Sequence, residues 1–197
     1  MSQATPPMDE LLRHAVAEAR EVFASLKALA EPLARAADVV ADTLLRGGKV
    51  LCCGNGGSAA DCAHLTAELA GRFVLERRGY AAIDLTANHA LVTALSNDYP
   101  PEQVFARQVA ALGAPGDVLI ALSSSGNSEN VRLALAAATE HRLTSVAFLG
   151  KGGGACRGLA NIELVVPSDR TIRVQEAHLL LYHSLCAAID PRLAGGG

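Results

Sequence analysis

The sequence predicts an α/β fold: a parallel β-sheet sandwiched between helical layers (three layers, α/β/α), preceded by N-terminal helices. Three observations carry this. Five short runs rich in β-branched or apolar residues recur along the chain, each is almost continuously apolar instead of alternating, and helical segments separate them. Strands that are apolar on both sides must be buried on both faces, as they are in a parallel sheet covered by helices.

In chain order, residues 8–46 read as helix, rich in Ala, Leu, Glu and Arg, with apolar positions at Leu11, Leu12, Val16, Ala19, Val22 and Phe23. Pro32 marks where a second helix can begin, because proline is tolerated in a first turn. Gly47 and Gly48 end the helical stretch. The five strand runs are 50–53, 81–85, 118–122, 145–149 and 162–166, bounded by Gly, Pro, Asp or Asn. The helical segments read as 59–72, 88–96, 101–112, 128–141 and 173–189, with glycine-rich loops at 113–116 and 150–154. The expected organisation is one domain over 1–197: a helical arm at 8–46, an α/β core at 48–190 and a loose tail at 191–197. The apolar stripe of the N-terminal helices needs a partner, which can be another subunit or the rest of the same chain.

Composition narrows the function classes. Of 197 residues, 50% are apolar and 19% charged, enough to build a sizeable core. A net charge of -3 supplies no basic field for nucleic acid. The five cysteines are odd in number and form no CxxC pair, so neither a disulfide framework nor a cysteine zinc site is expected, and a reducing compartment is. The first ten residues include Asp9 and Glu10 and lack the apolar stretch of a secretory signal. No apolar run approaches the ~20 residues that span a bilayer. A cytoplasmic protein with no membrane partner is the expectation.

Ligands of open parallel sheets bind beyond the carboxyl ends of the strands. Three segments there have suitable chemistry. Gly54, Asn55, Gly56, Gly57 and Ser58 follow the first strand and let backbone N–H groups approach a ligand closely. By itself such a turn is a weak signal, and it matches neither a dinucleotide fingerprint nor a Walker A loop. Ser123, Ser124, Ser125 and Ser128 place four hydroxyls between a strand end and a helix start. One serine would suffice as an N-cap. Four, at a helix N-terminus with its unpaired donors, favour a phosphate monoester. Ser96, Asn97 and Asp98 read as a loop whose amide and carboxylate suit sugar hydroxyls.

His64 and Glu68 lie one helical turn apart and share a face, where they can hold a metal, move protons or do neither. His14 and His141 read as solvated positions, and His89 has no evident partner. His178 and His183 fall in the last helix with Gln175 and Tyr182, and packing explains lone helical histidines equally well. Eight residues of helix put His183 roughly 80° round from Gln175, so spacing alone does not select it.

Taken in order, Gly54 to Ser58, His64 with Glu68, Ser96 to Asp98, Ser123 to Ser128, and Val174-Gln175-Glu176 with His178 and His183 resemble the sedoheptulose 7-phosphate isomerases. These are the phosphoheptose isomerases of bacterial heptose synthesis, within the sugar isomerase (SIS) domain superfamily. The resemblance spans nearly the whole chain; the serine loop alone would indicate only the superfamily, whereas His64, Glu68, Gln175 and His183 together are specific. It implies a five-stranded parallel sheet of flavodoxin-like type and a homotetramer with active sites between subunits. It implies one Zn2+ per subunit, held by His64, Glu68, Gln175 and His183. Glu68 and His183 would be the catalytic pair, interconverting sedoheptulose 7-phosphate and D-glycero-D-manno-heptose 7-phosphate through a cis-enediol. Asn55, Gly56, Gly57, Glu68, Asn97, Asp98, Ser123, Ser124, Ser125, Ser128 and Gln175 would contact this phosphorylated seven-carbon sugar, at the first step towards heptose for lipopolysaccharide.

Two departures qualify the match. Ser124 stands where threonine is common, which keeps the hydroxyl. Residues 167–173 read more like a related branch that associates with the replication initiator. That branch lacks the carboxylate and final histidine present here at Glu68 and His183, and their presence argues for an enzyme; a non-catalytic SIS protein binding the initiator is the alternative expectation. A phosphosugar-sensing regulator is a third, without a DNA-binding segment to support it.

Overall fold

The structure is a computed structural model, and it describes residues 6–196. The helical arm divides into α1 (Met8–Ser25) and α2 (Ala30–Leu45), joined by a 3-10 turn at Leu26–Leu29. Pro32 lies in the first turn of α2, where its missing N–H costs nothing. The core runs β1 (Val50–Gly54), α3 (Gly57–Ala70), β2 (Ala82–Asp84), α4 (His89–Asp98), α5 (Val104–Leu112), β3 (Val118–Ser123), α6 (Glu129–Glu140), β4 (Thr144–Leu149), β5 (Ile162–Val165) and α7 (Thr171–Ala194). All strand pairs are parallel, in the order β2-β1-β3-β4-β5. This is the flavodoxin-like arrangement expected from the resemblance. Its strand order reverses between β1 and β3, and in such sheets the crevice at that point takes the ligand.

The strand pleat divides the core in two. Val118, Ile120 and Leu122 of β3 face one layer with Val50, Cys52, Val146 and Phe148, packed under α2, α3 and α7. Leu119 and Ala121 face the other with Leu51, Cys53, Ala147 and Leu149, packed under α5 and α6. Alternate residues point to opposite faces, and here both are dry, which explains the unbroken apolar runs. The outer strand β2 is only half-buried and shorter than its apolar run.

Three boundaries differ from the sequence expectation. Ser96, Asn97 and Asp98 form the last turn of α4, not a loop; Asn88 caps that helix by accepting the Leu91 N–H at 3.1 Å, and it runs on to Asp98 before the extended Tyr99. Residues 151–156 form a 3-10 stretch that three left-handed glycines interrupt. The tail from residue 191 is helical to Ala194, with Pro191 inside α7. Packing overrides proline there: Leu193 is buried, and its carbonyl accepts the Tyr80 hydroxyl at 2.8 Å. Gly197 lies outside the described residues.

Helix α1 buries none of its residues. Leu11, Leu12, Val16 and Phe23 stay exposed on it, and it is tied to the start of α7 by polar contacts. Arg170 pairs with Glu18, and the Arg173 guanidinium donates to the Ala15 carbonyl.

Candidate active site

The turn after β1 and the loop after β3 flank the point where strand order reverses, and α7 closes over them. Gly57 opens α3 against the Gln175 side chain; a Cβ there would come within 2.9 Å of the Gln175 Cδ, so only glycine lets the amide lie on the turn. Gly150 at the end of β4 meets both the Ser124 carbonyl and Val174, where a Cβ would lie 2.5 and 2.6 Å from them. These two close approaches bring the β1 turn, the serine loop and the start of α7 together.

In the serine loop, the Ser128 hydroxyl does not cap α6. It lies 3.1 Å from the Ser123 hydroxyl, which is 3.5 Å from that of Ser125. Ser125 also accepts the Asn127 N–H at 3.1 Å, and Asn127 in turn accepts the Ala155 N–H at 2.9 Å, pinning the loop to the glycine stretch. Three hydroxyls thus converge beside the N-terminus of a twelve-residue helix whose first N–H groups lack a side-chain cap. Such a cradle suits an anion with several acceptor oxygens.

His64 and Glu68, one turn apart on α3, meet His183 from α7. His64 Nε2 lies 3.1 Å from Glu68 Oε1 and 3.5 Å from His183 Nε2. A ligand atom of each of the three residues falls within 4.8 Å of the others. A tetrahedral ion with bonds of about 2.0–2.1 Å separates its ligands by about 3.3 Å, so this nitrogen and oxygen set fits a metal such as zinc. His64 Nδ1 faces the Tyr182 hydroxyl at 3.0 Å, and that hydroxyl lies 3.5 Å from Asp61 Oδ1. Burial raises the Asp61 carboxyl above its ordinary range, although Tyr182 and His64 oppose this; burial and the Asp61 charge push the Tyr182 phenol well up.

The other proposed contacts are placed less centrally. Asn55 is exposed and makes a reciprocal amide pair with Asn130 of α6, 2.9 Å in each direction, which bridges the β1 turn to the serine-loop helix. Gly56 is exposed beside it. Ser96 lines a cleft of about 310 Å³ with Gly54, Asn55, Thr86 and Asn130. Asn97 donates to Asp98 at 2.8 Å, both exposed, and among the described residues neither hydrogen-bonds to the rest of the site. Sequence reasoning missed Asn130, 75 positions from its partner, and Asp61, although Asp61 sits three before His64 on the same helix face.

The chain matches the SIS domain family over residues 15–150. It is 49% identical to the phosphoheptose isomerase of Dechloromonas aromatica over 170 residues, 85% of this chain and 87% of that one. The chain belongs to the phosphoheptose isomerase family. It is therefore an isomerase, the reading that Glu68 and His183 favoured over the initiator-binding branch. The solved phosphoheptose isomerase GmhA of Neisseria gonorrhoeae superposes with a TM-score of 0.87 at 39% identity, and that of Francisella tularensis with 0.90 at 37%. Each covers 94% of this chain and 100% of its own. The stretch 167–173, which set this chain apart from some family members, leads from β5 into α7 and anchors α1 through Arg170 and Arg173.

The remaining histidines separate cleanly from the cluster. His14 is exposed and pairs with Glu18 at 3.1 Å, His89 opens α4, and His141 follows α6. His178 is fully buried with its ring edge-on to Phe148, and neither ring nitrogen has a hydrogen-bond partner. Burial lowers its pKa to about 4, with the nearby Leu149 carbonyl only partly opposing. The unfolded chain then binds this proton near pH 6.5 and the folded one does not, so stability falls as pH drops from 6.5 towards 4. Urea unfolding at pH 7 and 4.5 is expected to show a loss of roughly 2–3 kcal/mol from this group. His178→Leu should remove that part of the loss, and an unchanged acid profile would assign it elsewhere.

Proposed function

We propose that the chain interconverts sedoheptulose 7-phosphate and D-glycero-D-manno-heptose 7-phosphate, at the start of heptose supply for the cell surface. The observation that carries this is the meeting of His64, Glu68 and His183 on α3 and α7, together with the serine cradle that Gly150 brings against the start of α7. The hydroxyls of Ser123, Ser124, Ser125 and Ser128 and the first N–H groups of α6 take the phosphate, which leaves the far end of the open-chain sugar to the histidine cluster. Asn55, Gly56, Gly57, Asn97, Asp98 and Gln175 contact the hydroxyls between. Glu68 takes the proton from C1 as the C1–C2 double bond forms, and His183 gives a proton to O2, making a cis-enediol. Return of the carbon proton to C2 and loss of the O1 proton then give the aldose. His64, Glu68, Gln175 and His183 would hold one Zn2+ per subunit, and the bound ion would act as a Lewis acid on the sugar oxygens. Gln175 would be the weakest ligand, as an uncharged amide.

Apolar residues exposed along α1 support self-association, and the proposed assembly is a homotetramer. Five free, buried cysteines, and no helix among the described residues long and apolar enough to cross a membrane, support action in the cytoplasm.

The test is an NMR assay of purified protein with sedoheptulose 7-phosphate, with and without a chelator. Conversion to the heptose 7-phosphate that chelation abolishes and zinc restores is expected. No conversion would overturn the substrate, and full conversion after chelation would overturn the metal.

A further inference from the structure

We propose that Tyr182, itself oriented by Asp61, is a positioning residue that fixes the ring tautomer of His64. The inference rests on the metal reading above, because it concerns which His64 nitrogen offers a lone pair to the Glu68 and His183 cluster.

A neutral imidazole carries one ring proton, and the partner of one nitrogen decides the state of the other. His64 Nε2 faces Glu68 and His183, whereas Nδ1 faces the Tyr182 hydroxyl at 3.0 Å. A phenol can give or take a hydrogen bond, so the pair alone does not settle the tautomer. Asp61 does. Its Oδ1 lies 3.5 Å from the phenol oxygen, and an ionised carboxylate only accepts. Its Oδ2 is buried without a partner, so the Tyr182 hydroxyl is the donor that this carboxylate has at hand. Tyr182 is fully buried, its ring edge-on to those of His64 and His183 at centroid distances of 5.6 and 4.9 Å. Its packed ring holds the hydroxyl between Asp61 and His64. The phenol hydrogen therefore points to Asp61, the phenol oxygen accepts Nδ1–H, and Nε2 is left with its lone pair turned to the cluster. Support of this kind from outside the ligand set typically changes metal affinity by about 10–100-fold.

Zinc affinity is measured by chelator competition on the full chain and on Tyr182→Phe, Asp61→Ala and the double variant, together with 15N spectra of the histidine rings before zinc is added. Tyr182→Phe keeps the packed ring and is expected to weaken zinc binding about 10–100-fold. Asp61→Ala leaves the phenol hydrogen with only Nδ1 to bond, so it should weaken binding too and move the His64 proton to Nε2, a shift that a purely structural loss would not produce. The double variant should bind no more weakly than the weaker single one, as for two links of one chain. Wild-type affinity in Tyr182→Phe, fully additive losses, or Nε2-protonated His64 in the unaltered protein would each overturn the relay. Absence of zinc binding in the unaltered protein would overturn the metal reading and the relay with it.

Discussion

Glu68→Gln and His183→Gln are each expected to lower kcat on the heptulose phosphate by about 10²–10⁴-fold, the usual contribution of a positioned acid or base. Both changes keep the side chain polar and nearly fill its space. Glutamine at 68 retains an oxygen near His64 Nε2, now 3.1 Å from Glu68 Oε1, but has no basicity to take a carbon-bound proton. Glutamine at 183 removes the only imidazole that α7 presents to the cluster, since the His178 ring is sealed in the core. Metal loss and acid–base loss can be told apart, because excess zinc would rescue a variant that fails only by shedding its ion. No rescue is expected. Exchange of the sugar's C1 hydrogen with deuterated solvent gives a second readout, and Glu68→Gln should suppress it in step with turnover. Wild-type turnover in either variant would remove that residue from the mechanism.

The sheet was legible because burial on both faces leaves a direct mark: 118–122 is apolar at every position, and β3 is buried at every position. Helix ends were less legible, because competing local signals were settled by tertiary contacts. The tail was expected to be loose from residue 191, yet burial of Leu193 and the hydrogen bond from Tyr80 carry α7 on to Ala194. Asn97 and Asp98 looked like turn residues and form the last turn of α4. At the site, the i,i+4 spacing of His64 and Glu68 was readable from sequence, but their meeting with His183 depends on how α7 crosses α3, which no local pattern encodes. The same holds for Gln175, whose amide occupies the space that Gly57 leaves free, and for Asn130, which finds Asn55 across the β1–β3 crevice. The serine loop shows the opposite case. Hydroxyl count pointed to more than a cap, and Ser128 does bond within the loop instead of capping α6.

Asp190→Ala is expected to destabilise the fold by about 3–5 kcal/mol, the cost of leaving a buried ionic partner unpaired. Asp190 Oδ2 accepts the N–H groups of Val74 and Leu75 at 3.0 and 2.8 Å, and its Oδ1 accepts Arg77 Nε at 2.8 Å. Burial alone would raise the Asp190 carboxyl, but the Leu75 N–H, the Arg77 guanidinium and the Val74 N–H together hold it below its ordinary value. Its contribution is therefore present above the unfolded carboxyl pKa and is lost as pH falls through the folded one. The Arg77 side chain is 2% exposed, and its remaining donors go to the carbonyls of Glu68, Leu69, Gly71 and Arg78. The pair thus caps the C-terminal end of α3, the helix that carries His64 and Glu68, and ties it to α7, which carries His183. Urea unfolding at pH 7 measures the loss. Asp190→Asn, which keeps an acceptor but not the charge, should cost less, and an Arg77→Met, Asp190→Leu double variant should cost less than Asp190→Ala, because no charge is stranded. A double variant as unstable as Asp190→Ala would mean that the backbone N–H groups of Val74 and Leu75, not the guanidinium, set the cost.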